Sequence, residues 1–434
     1  MSANTRKITS LDDVDDVEDR QNKRRALETT SRDRSLDYPS KSASVKAVSF
    51  QQPSPLLTFS YTPARVLEFT DSALRYYVDP PLGADLKYGY ERWIRWPEEK
   101  GRIDGLVRAV LKYKERLERH SQNGSAWLND IGVVSWRGVM TKILTAPYEE
   151  RDGWELNVMI VGSTLYFEEH LSDARLVQKN DIAPHHRQQT YYGYSFESWC
   201  TSSAPRIPDK LDGHPIGWGG DVDTNVQWCS VVKTKLGDTR MVIGGEVDCV
   251  RDTFTGQTSS FVELKTSLVI RGPQDELRFE KKLLKFYFQS FLLGVPEIVV
   301  GFRTPSGRMN TIQSFKTMEI PRLVRGKPHA WDPLLCLDWG HRFITFLKSI
   351  AVATDTDDVR GDSNNEEGKM ADRAKTRVWR VKFLPRVGVS VSLLDDAGVQ
   401  EVQAGEDRVG FLPRWFWDGL HPPNISLHRQ TDHA

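Results

Sequence analysis

RMVIGGEVDCVRDTFTGQTSSFVELKTS, from Arg240 to Ser267, is the stretch whose reading decides the fold. Two apolar segments flank a polar connection centred on Thr255 and Gly256, the pattern of a hairpin with a longer loop. In the first segment Met241, Ile243, Val247 and Cys249 fall on one strand face, and Glu246 and Asp248 on the other. In the second, Val262 and Leu264 alternate with Glu263 and Lys265. A turn centred between Thr255 and Gly256 sets Asp248 opposite Glu263 and Glu246 opposite Lys265. Directly paired residues share one side of a sheet, so this register predicts three carboxylates and one ammonium on a single patch.

Clustered carboxylates repel one another and are driven toward protonation. A divalent cation removes the conflict, and hard oxygen ligands suit Mg²⁺ or Mn²⁺. Lys265 can then orient a water or hold a phosphate oxygen beside the ion. A surface hairpin with solvated charges accounts for E-x-D or E-x-K taken singly, because charged alternation is common on half-exposed strands. Both motifs in register about a glycine turn favour the metal site. On this reading Glu263→Ala removes a metal ligand, and relieved repulsion leaves the fold intact or more stable.

At 434 residues the chain accommodates one large domain or two to three small ones. Hydrophobic residues make up 39% and there are 13 tryptophans, enough to bury a substantial core. Formal net charge is zero, which excludes a bulk electrostatic pull toward nucleic acid but leaves room for a local basic groove. Cys200, Cys229, Cys249 and Cys336 are far apart and lack C-x-x-C spacing, as expected of reduced, buried thiols in an intracellular protein. No signal peptide opens the chain and no apolar run approaches membrane-spanning length.

Residues 1–52 are charge-rich and poor in apolar residues, so they are expected to form a disordered tail. Within it Lys23-Arg24-Arg25 is a short basic cluster of the kind that serves nuclear import. A single catalytic domain is expected over 53–434, with a mobile acidic loop at about 355–376. The spacing of Ile103, Leu106, Val107, Val110 and Leu111 predicts an amphipathic helix over 101–118. From Trp127 to His170 strand-like runs dominate, with Trp154, Leu156, Val158 and Ile160 alternating before a turn at Gly162. Glu197 stands among aromatic and small residues, which places it at an exposed rim or beside a positive group. Residues 275–294 read as a buried helix ending at Gly294, on which Lys282 and Gln289 share a stripe. EIVVGFR reads as a strand in the middle of a mixed sheet, LLCLDWGHRFITFLKSIAVAT as a helix, and VWRVKF as an edge or half-buried strand.

The stretches WRGVMTKILTAPYEERDGWEL, GYSFES, GGEVDC, FVELKTS, KKLLKFYFQSFLLGVP and GFR follow one another over roughly residues 130–305. In that order they resemble the DXO family of RNA 5′-end decapping and pyrophosphohydrolase enzymes, which includes a fungal nuclear exoribonuclease activator. The resemblance implies an α+β fold of mixed β-sheets flanked by helices, with the D…(D/E)-x-K core of metal-dependent nucleases. It also implies roles. Arg137 would contact substrate phosphate, Glu197 would join the metal site, and Asp248 and Glu263 would bind one or two Mg²⁺ or Mn²⁺ ions with the carbonyl of Leu264. Glu246 would support the ions and their waters, while Lys265 and Gln289 would hold phosphate or the attacking water. The implied substrates are RNA 5′ ends: triphosphates, losing pyrophosphate, and incompletely methylated or NAD caps, released whole, with 5′→3′ exoribonuclease activity as a possible addition. A nuclear 5′→3′ exoribonuclease is the implied partner and the nucleus the implied location, with VWRVKF as a candidate docking edge. Two alternatives stand beside this: a non-catalytic scaffold that stabilises the exoribonuclease, and a DNA nuclease of the same core.

Overall fold

Runs rich in β-branched and aromatic residues, such as QWCSVVKTKL and EIVVGFR, form the strands. The structure is a computed structural model that describes residues 34–39, 45–120, 124–361 and 377–421. The first strands are β1 (Ser35–Asp37), β2 (Phe50–Tyr61), β3 (Leu67–Glu68), β4 (Tyr76–Tyr77) and β5 (Val133–Trp136). There follow β6 (Trp154–Val161), β7 (Thr164–His170), β8 (Thr201–Ser202), β9 (Gln227–Leu236), β10 (Thr239–Glu246) and β11 (Cys249–Val250). The set continues with β12 (Phe261–Leu268), β13 (Glu297–Arg303), β14 (Met309–Lys316), β15 (Trp379–Leu384) and β16 (Gly388–Leu393). A ten-stranded sheet runs β1-β16-β15-β6-β7-β5-β10-β9-β2-β3, and a six-stranded sheet runs β14-β13-β12-β11-β4-β8. Both are mixed: β5 is parallel to β7 and β10, and β12 is parallel to β13.

Strand periodicity sorts the cores. Met241 and Ile243 of β10 share one core with Ile298 and Val300 of β13 and with the helices Arg137–Thr145 and Pro273–Leu293, which supply Met140, Ile143, Leu283 and Phe288. Val242, of opposite parity, joins Val107 and Val110 of the Asp104–His120 helix on the other face of the large sheet. Val262, Leu264 and Val299 pack on Tyr192 and Phe196 of the Pro184–Cys200 helix, on the other face of the small sheet. That last helix lies close, because a Cβ on Gly301 would come within 2.5 Å of the Phe196 ring. The helix Pro273–Leu293 ends at Gly294, whose φ of 73° is the left-handed cap that glycine permits. All four cysteines are buried and unpaired. No helix among the described residues is long and apolar enough to cross a membrane.

Several expectations need correction. Cys249 pairs with Val262, the register read from the sequence, yet the first segment is not one strand. β10 ends at Glu246 within the large sheet, opposite Cys229 and not Lys265, and the chain changes sheets through Val247 and Asp248. The strand-like stretch after Trp127 contains the helix Arg137–Thr145, because burial of Val139, Met140, Ile143 and Leu144 outweighs the weak strand preference of its β-branched residues. The tail expected to be disordered through residue 52 includes β1, held by Leu36 against the core and by Tyr38, whose hydroxyl donates to the Pro147 carbonyl at 2.5 Å. VWRVKF is the half-buried strand of the two alternatives, Trp379, Val381 and Phe383 being buried in alternation, but it is no edge, since β15 pairs with β16 on one side and β6 on the other. Residues 355–361 continue the helix Pro333–Gly361, and the rest of the expected acidic loop lies outside the described residues, as does Lys23-Arg24-Arg25.

Candidate metal centre

The change of sheet at Val247–Asp248 places the polar residues at the junction of the two sheets. Glu246 terminates β10, Asp248 lies in the link, and Glu263 and Lys265 project from β12. The helix Arg137–Thr145 begins at this junction, so its first side chain, Arg137, reaches across to Glu263 with Nη1 2.9 Å from Oε2. Lys265 donates to the other Glu263 oxygen at 2.5 Å and lies 4.0 Å from Asp248. Asp248 accepts the backbone N–H of Leu264 at 2.6 Å. Glu197, near the end of the Pro184–Cys200 helix, lines the same cleft as Arg137, Glu246 and Asp248. The cleft encloses about 940 Å³, in the range of small-molecule and substrate sites.

The electrostatics divide the carboxylates into two kinds. Glu263 is fully buried, which disfavours its charge, but Arg137 and Lys265 beside it hold its pKa below the usual carboxylate range. Burial, and then the neighbouring acids Asp248 and Glu246, push Glu197 well above that range. Burial, followed by the charge of Asp248, raises Glu246 to about 7. Asp248 is raised to about 6 by burial and by Glu263. Four carboxylates against two cations leave two negative charges in excess when all are ionised. Among the described residues no three His, Cys, Asp or Glu side chains converge closely enough to grip an ion, and Glu263 is turned toward its two cations. The donor set nonetheless fits a hard divalent ion: every ligand atom on offer is oxygen and the excess charge is negative.

Of the residues named from the sequence, Arg137, Glu197, Glu246, Asp248, Leu264, Glu263 and Lys265 come together here. Gln289 is half-buried on the Pro273–Leu293 helix and is not among the residues lining the cleft. Lys282 donates instead to Ser267 at 3.5 Å. Sequence reasoning missed Tyr61, Arg65, Trp96 and Gln227, which line the same cleft. They stand in no charged motif, and nothing in their spacing signals them.

Gly245 lets the Arg137 helix seat. A Cβ there would lie 2.9 Å from the Arg137 Cβ and 3.0 Å from Leu293 Cδ1. Gly245→Ala is therefore expected to destabilise the fold by about 1–3 kcal/mol, the cost of overpacking, and to lower turnover by moving Arg137. Urea denaturation beside a turnover assay checks both, and wild-type values in each would remove the packing argument.

A family model described as "RAI1 like PD-(D/E)XK nuclease" matches residues 51–417. The decapping nuclease RAI1 of Mycosarcoma maydis is 39% identical over 85% of this chain and 87% of its own length. The mouse decapping and exoribonuclease protein is 37% identical over 70% of this chain and 77% of its own. Among solved structures, Candida albicans Rai1 in complex with pU5-Mn²⁺ superposes with a TM-score of 0.70 at 23% identity, over 89% of this chain and 98% of that one. With a matched span that includes the six-stranded sheet, the ten-stranded sheet apart from β1 and the first residue of β2, and every carboxylate of the cluster, the chain belongs to the RAI1-like PD-(D/E)XK nuclease family.

Proposed function

We propose that this protein is a metal-dependent hydrolase of RNA 5′ ends, releasing pyrophosphate from 5′-triphosphate RNA and removing incompletely methylated or NAD caps whole. The observation that carries the proposal is the buried excess of carboxylate beside two cations at a cleft wall. The names of the relatives, decapping nuclease and decapping exoribonuclease, support the same substrate class. Asp248, Glu263 and Glu197, with the Leu264 carbonyl, would hold Mg²⁺ or Mn²⁺, and Glu246 would support the ion's waters. When bound, the ion supplies charge neutralisation at phosphate and a more acidic water.

The chain's own groups do the rest. The Arg137 guanidinium offers a planar fork to phosphate oxygens, and an entering polyphosphate competes with Glu263 for it. The helix that Arg137 opens has no side-chain cap, and Gly138 lines the cleft with no atom from beyond its own helical turn and chain neighbours within 4 Å of where its Cβ would be. Its free first-turn N–H groups suit an anion. Lys265, held between Glu263 and Asp248, keeps a positive charge by those contacts despite its burial. It stands ready to orient the attacking water or hold a phosphate oxygen.

Incubation with 5′-triphosphate RNA, capped RNA and NAD-capped RNA, with Mn²⁺ or Mg²⁺ and with EDTA, tests the reading. The expected result is pyrophosphate and 5′-monophosphate RNA from the first substrate, intact caps from the others, and no product in EDTA. Product from 5′-phosphorylated DNA alone would instead identify a DNA nuclease. No product from any substrate would leave the scaffold reading.

The proposal extends to location and partner. A 5′-monophosphate end is what a 5′→3′ exoribonuclease requires, so coupling to such an enzyme in the nucleus would pass the product on directly. Lys23-Arg24-Arg25 supports import. Affinity purification that recovers no exoribonuclease, together with cytoplasmic fluorescence of a tagged copy, would overturn this extension.

A further inference from the structure

Glu246 faces the cluster with one carboxylate oxygen engaged by an amide: Gln227 Nε2 donates to its Oε2 at 3.0 Å. The sheet sets up this contact. Tyr61 of β2 lies opposite Gln227 of β9, and Glu246 of β10 lies opposite Cys229, two residues further along β9. Directly opposed residues, and residues two apart on one strand, share a face, so Tyr61, Gln227 and Glu246 form a diagonal row on one side of the sheet.

A side-chain amide is ambiguous until its other end is fixed. Here Arg65 fixes it. Its Nη1 donates to Gln227 Oε1 at 2.7 Å and to the Asn225 carbonyl at 2.9 Å. With Oε1 occupied by a cation, the N–H end of Gln227 must turn to Glu246. Arg65 is itself clamped, its guanidinium lying 4.1 Å from the Tyr61 ring centroid and 5.4 Å from that of Trp96.

The backbone adds an independent observation. Arg65 sits in the turn between β2 and β3, where its N–H meets the Thr62 carbonyl at 2.8 Å and Thr62 N–H meets the Val66 carbonyl at 3.0 Å. Its φ is +59°, the left-handed region that glycine or asparagine fills with less strain. A long cationic side chain at such a position points to a use for that side chain. Two aromatic rings and two acceptors already engage it, so it differs from Arg137, whose fork meets a group that substrate can displace.

We propose that Arg65 is a positioning residue for the metal centre, acting through Gln227 to hold Glu246 as a hydrogen-bonded carboxylate aimed at the cleft. Tyr61 and Trp96 keep the guanidinium on that line. The inference rests on the hydrolase reading for its catalytic consequence and on the geometry alone for its effect on metal binding. Outer contacts that orient ligands and waters typically change affinity or activity about 10–100-fold.

The test uses full-length protein in two assays: pyrophosphate release from 5′-triphosphate RNA, and Mn²⁺ affinity by calorimetry. Arg65→Gly keeps the turn and removes the side chain; Gln227→Met keeps the volume and removes the amide. Each is expected to lower kcat about 10-fold with KM within about twofold, and to weaken Mn²⁺ binding by a similar factor. The double variant is expected to be no worse than Gln227→Met alone, because both act through one contact. Arg65→Lys, which can still donate to Gln227 Oε1, is expected to recover part of the loss. Arg65→Gly is expected to melt no earlier than wild type, since glycine relieves the backbone; if it melts earlier, Gln227→Met carries the test by itself. Unchanged kcat and Mn²⁺ affinity would overturn the inference. So would a rise in KM alone, which marks a substrate contact, or losses that multiply in the double variant. Absence of pyrophosphate release from the wild type defeats the hydrolase reading, and the calorimetric arm then decides the relay separately.

Discussion

Glu263→Ala is expected to reduce turnover about 100-fold or more and, in metal-free protein, to lower stability by about 3–5 kcal/mol. The first effect follows from the loss of a carboxylate at the centre of the cluster. The second reverses what carboxylate repulsion predicts from the sequence. Glu263 is the fully buried anion to which Arg137 and Lys265 both point, at 2.9 Å and 2.5 Å, and its pKa is held down by them despite burial. Removing it takes away the one carboxylate that both cations hydrogen-bond, leaving Lys265 with Asp248 at 4.0 Å and Arg137 with the more distant charges of Asp248 and Glu246, the costly way to break an ion pair. Mn²⁺ should not restore the variant, because the proposed metal site would have lost a ligand and kept the cations. Urea denaturation in EDTA and in Mn²⁺, beside pyrophosphate release, measures all three quantities. A variant as stable as wild type in EDTA, with the full Mn²⁺-induced shift, would sink both the ion-pair account and the metal assignment.

That reversal shows where the sequence is legible and where it is not. Register survives translation into structure: Cys249 does pair with Val262, because a period-two pattern about a fixed turn admits few alternatives. The helix before Gly294, although one side of it is exposed rather than buried, and the central strand EIVVGFR are equally plain, being long runs with clear punctuation. What alternation does not record is which strand lies alongside. Glu246 keeps the parity expected of it while pairing with Cys229 in another sheet. The Arg137–Thr145 helix is hidden for a similar reason, since tertiary burial and not local preference decides it. Glu197 is readable as a carboxylate in apolar company, but its neighbours Asp248 and Glu246 are some fifty residues away in the chain. Nor can one sequence pair Arg65 with Gln227, 162 positions later. Partners at that distance are set by the whole fold.

Glu197→Gln is expected to act in the opposite sense to Glu263→Ala: turnover about 10–100-fold lower, yet metal-free protein more stable than wild type at pH 8. The sign follows from linkage. A carboxyl whose pKa is raised by folding binds its proton more tightly folded than unfolded, so its contribution is greatest below the unfolded value and is lost as pH climbs through the folded one. Glu197 is raised well above the ordinary range, Glu246 to about 7 and Asp248 to about 6. Between about pH 5 and 8 these three therefore make metal-free protein less stable as pH rises. Glu263, whose pKa is lowered, has the opposite sign, but its contribution changes only below the ordinary carboxylate range, about 4.3, and stays out of this window. Glu168, a buried acid raised to about 7, adds the same slope to variant and wild type and cancels in the comparison. Glutamine mimics the protonated carboxyl and carries no charge to repel Asp248 and Glu246, so the variant should show a shallower fall between pH 6 and 8. An ion must displace those same protons to bind, so the Mn²⁺-induced rise in Tm should grow with pH in wild type and grow less in the variant. Thermal melts of both proteins at pH 6, 7 and 8, in EDTA and in Mn²⁺, read out every part of this. Parallel pH slopes for the two proteins, or a lower Tm for Glu197→Gln in EDTA at pH 8, would show that the Glu197 carboxylate is not crowded by the cluster.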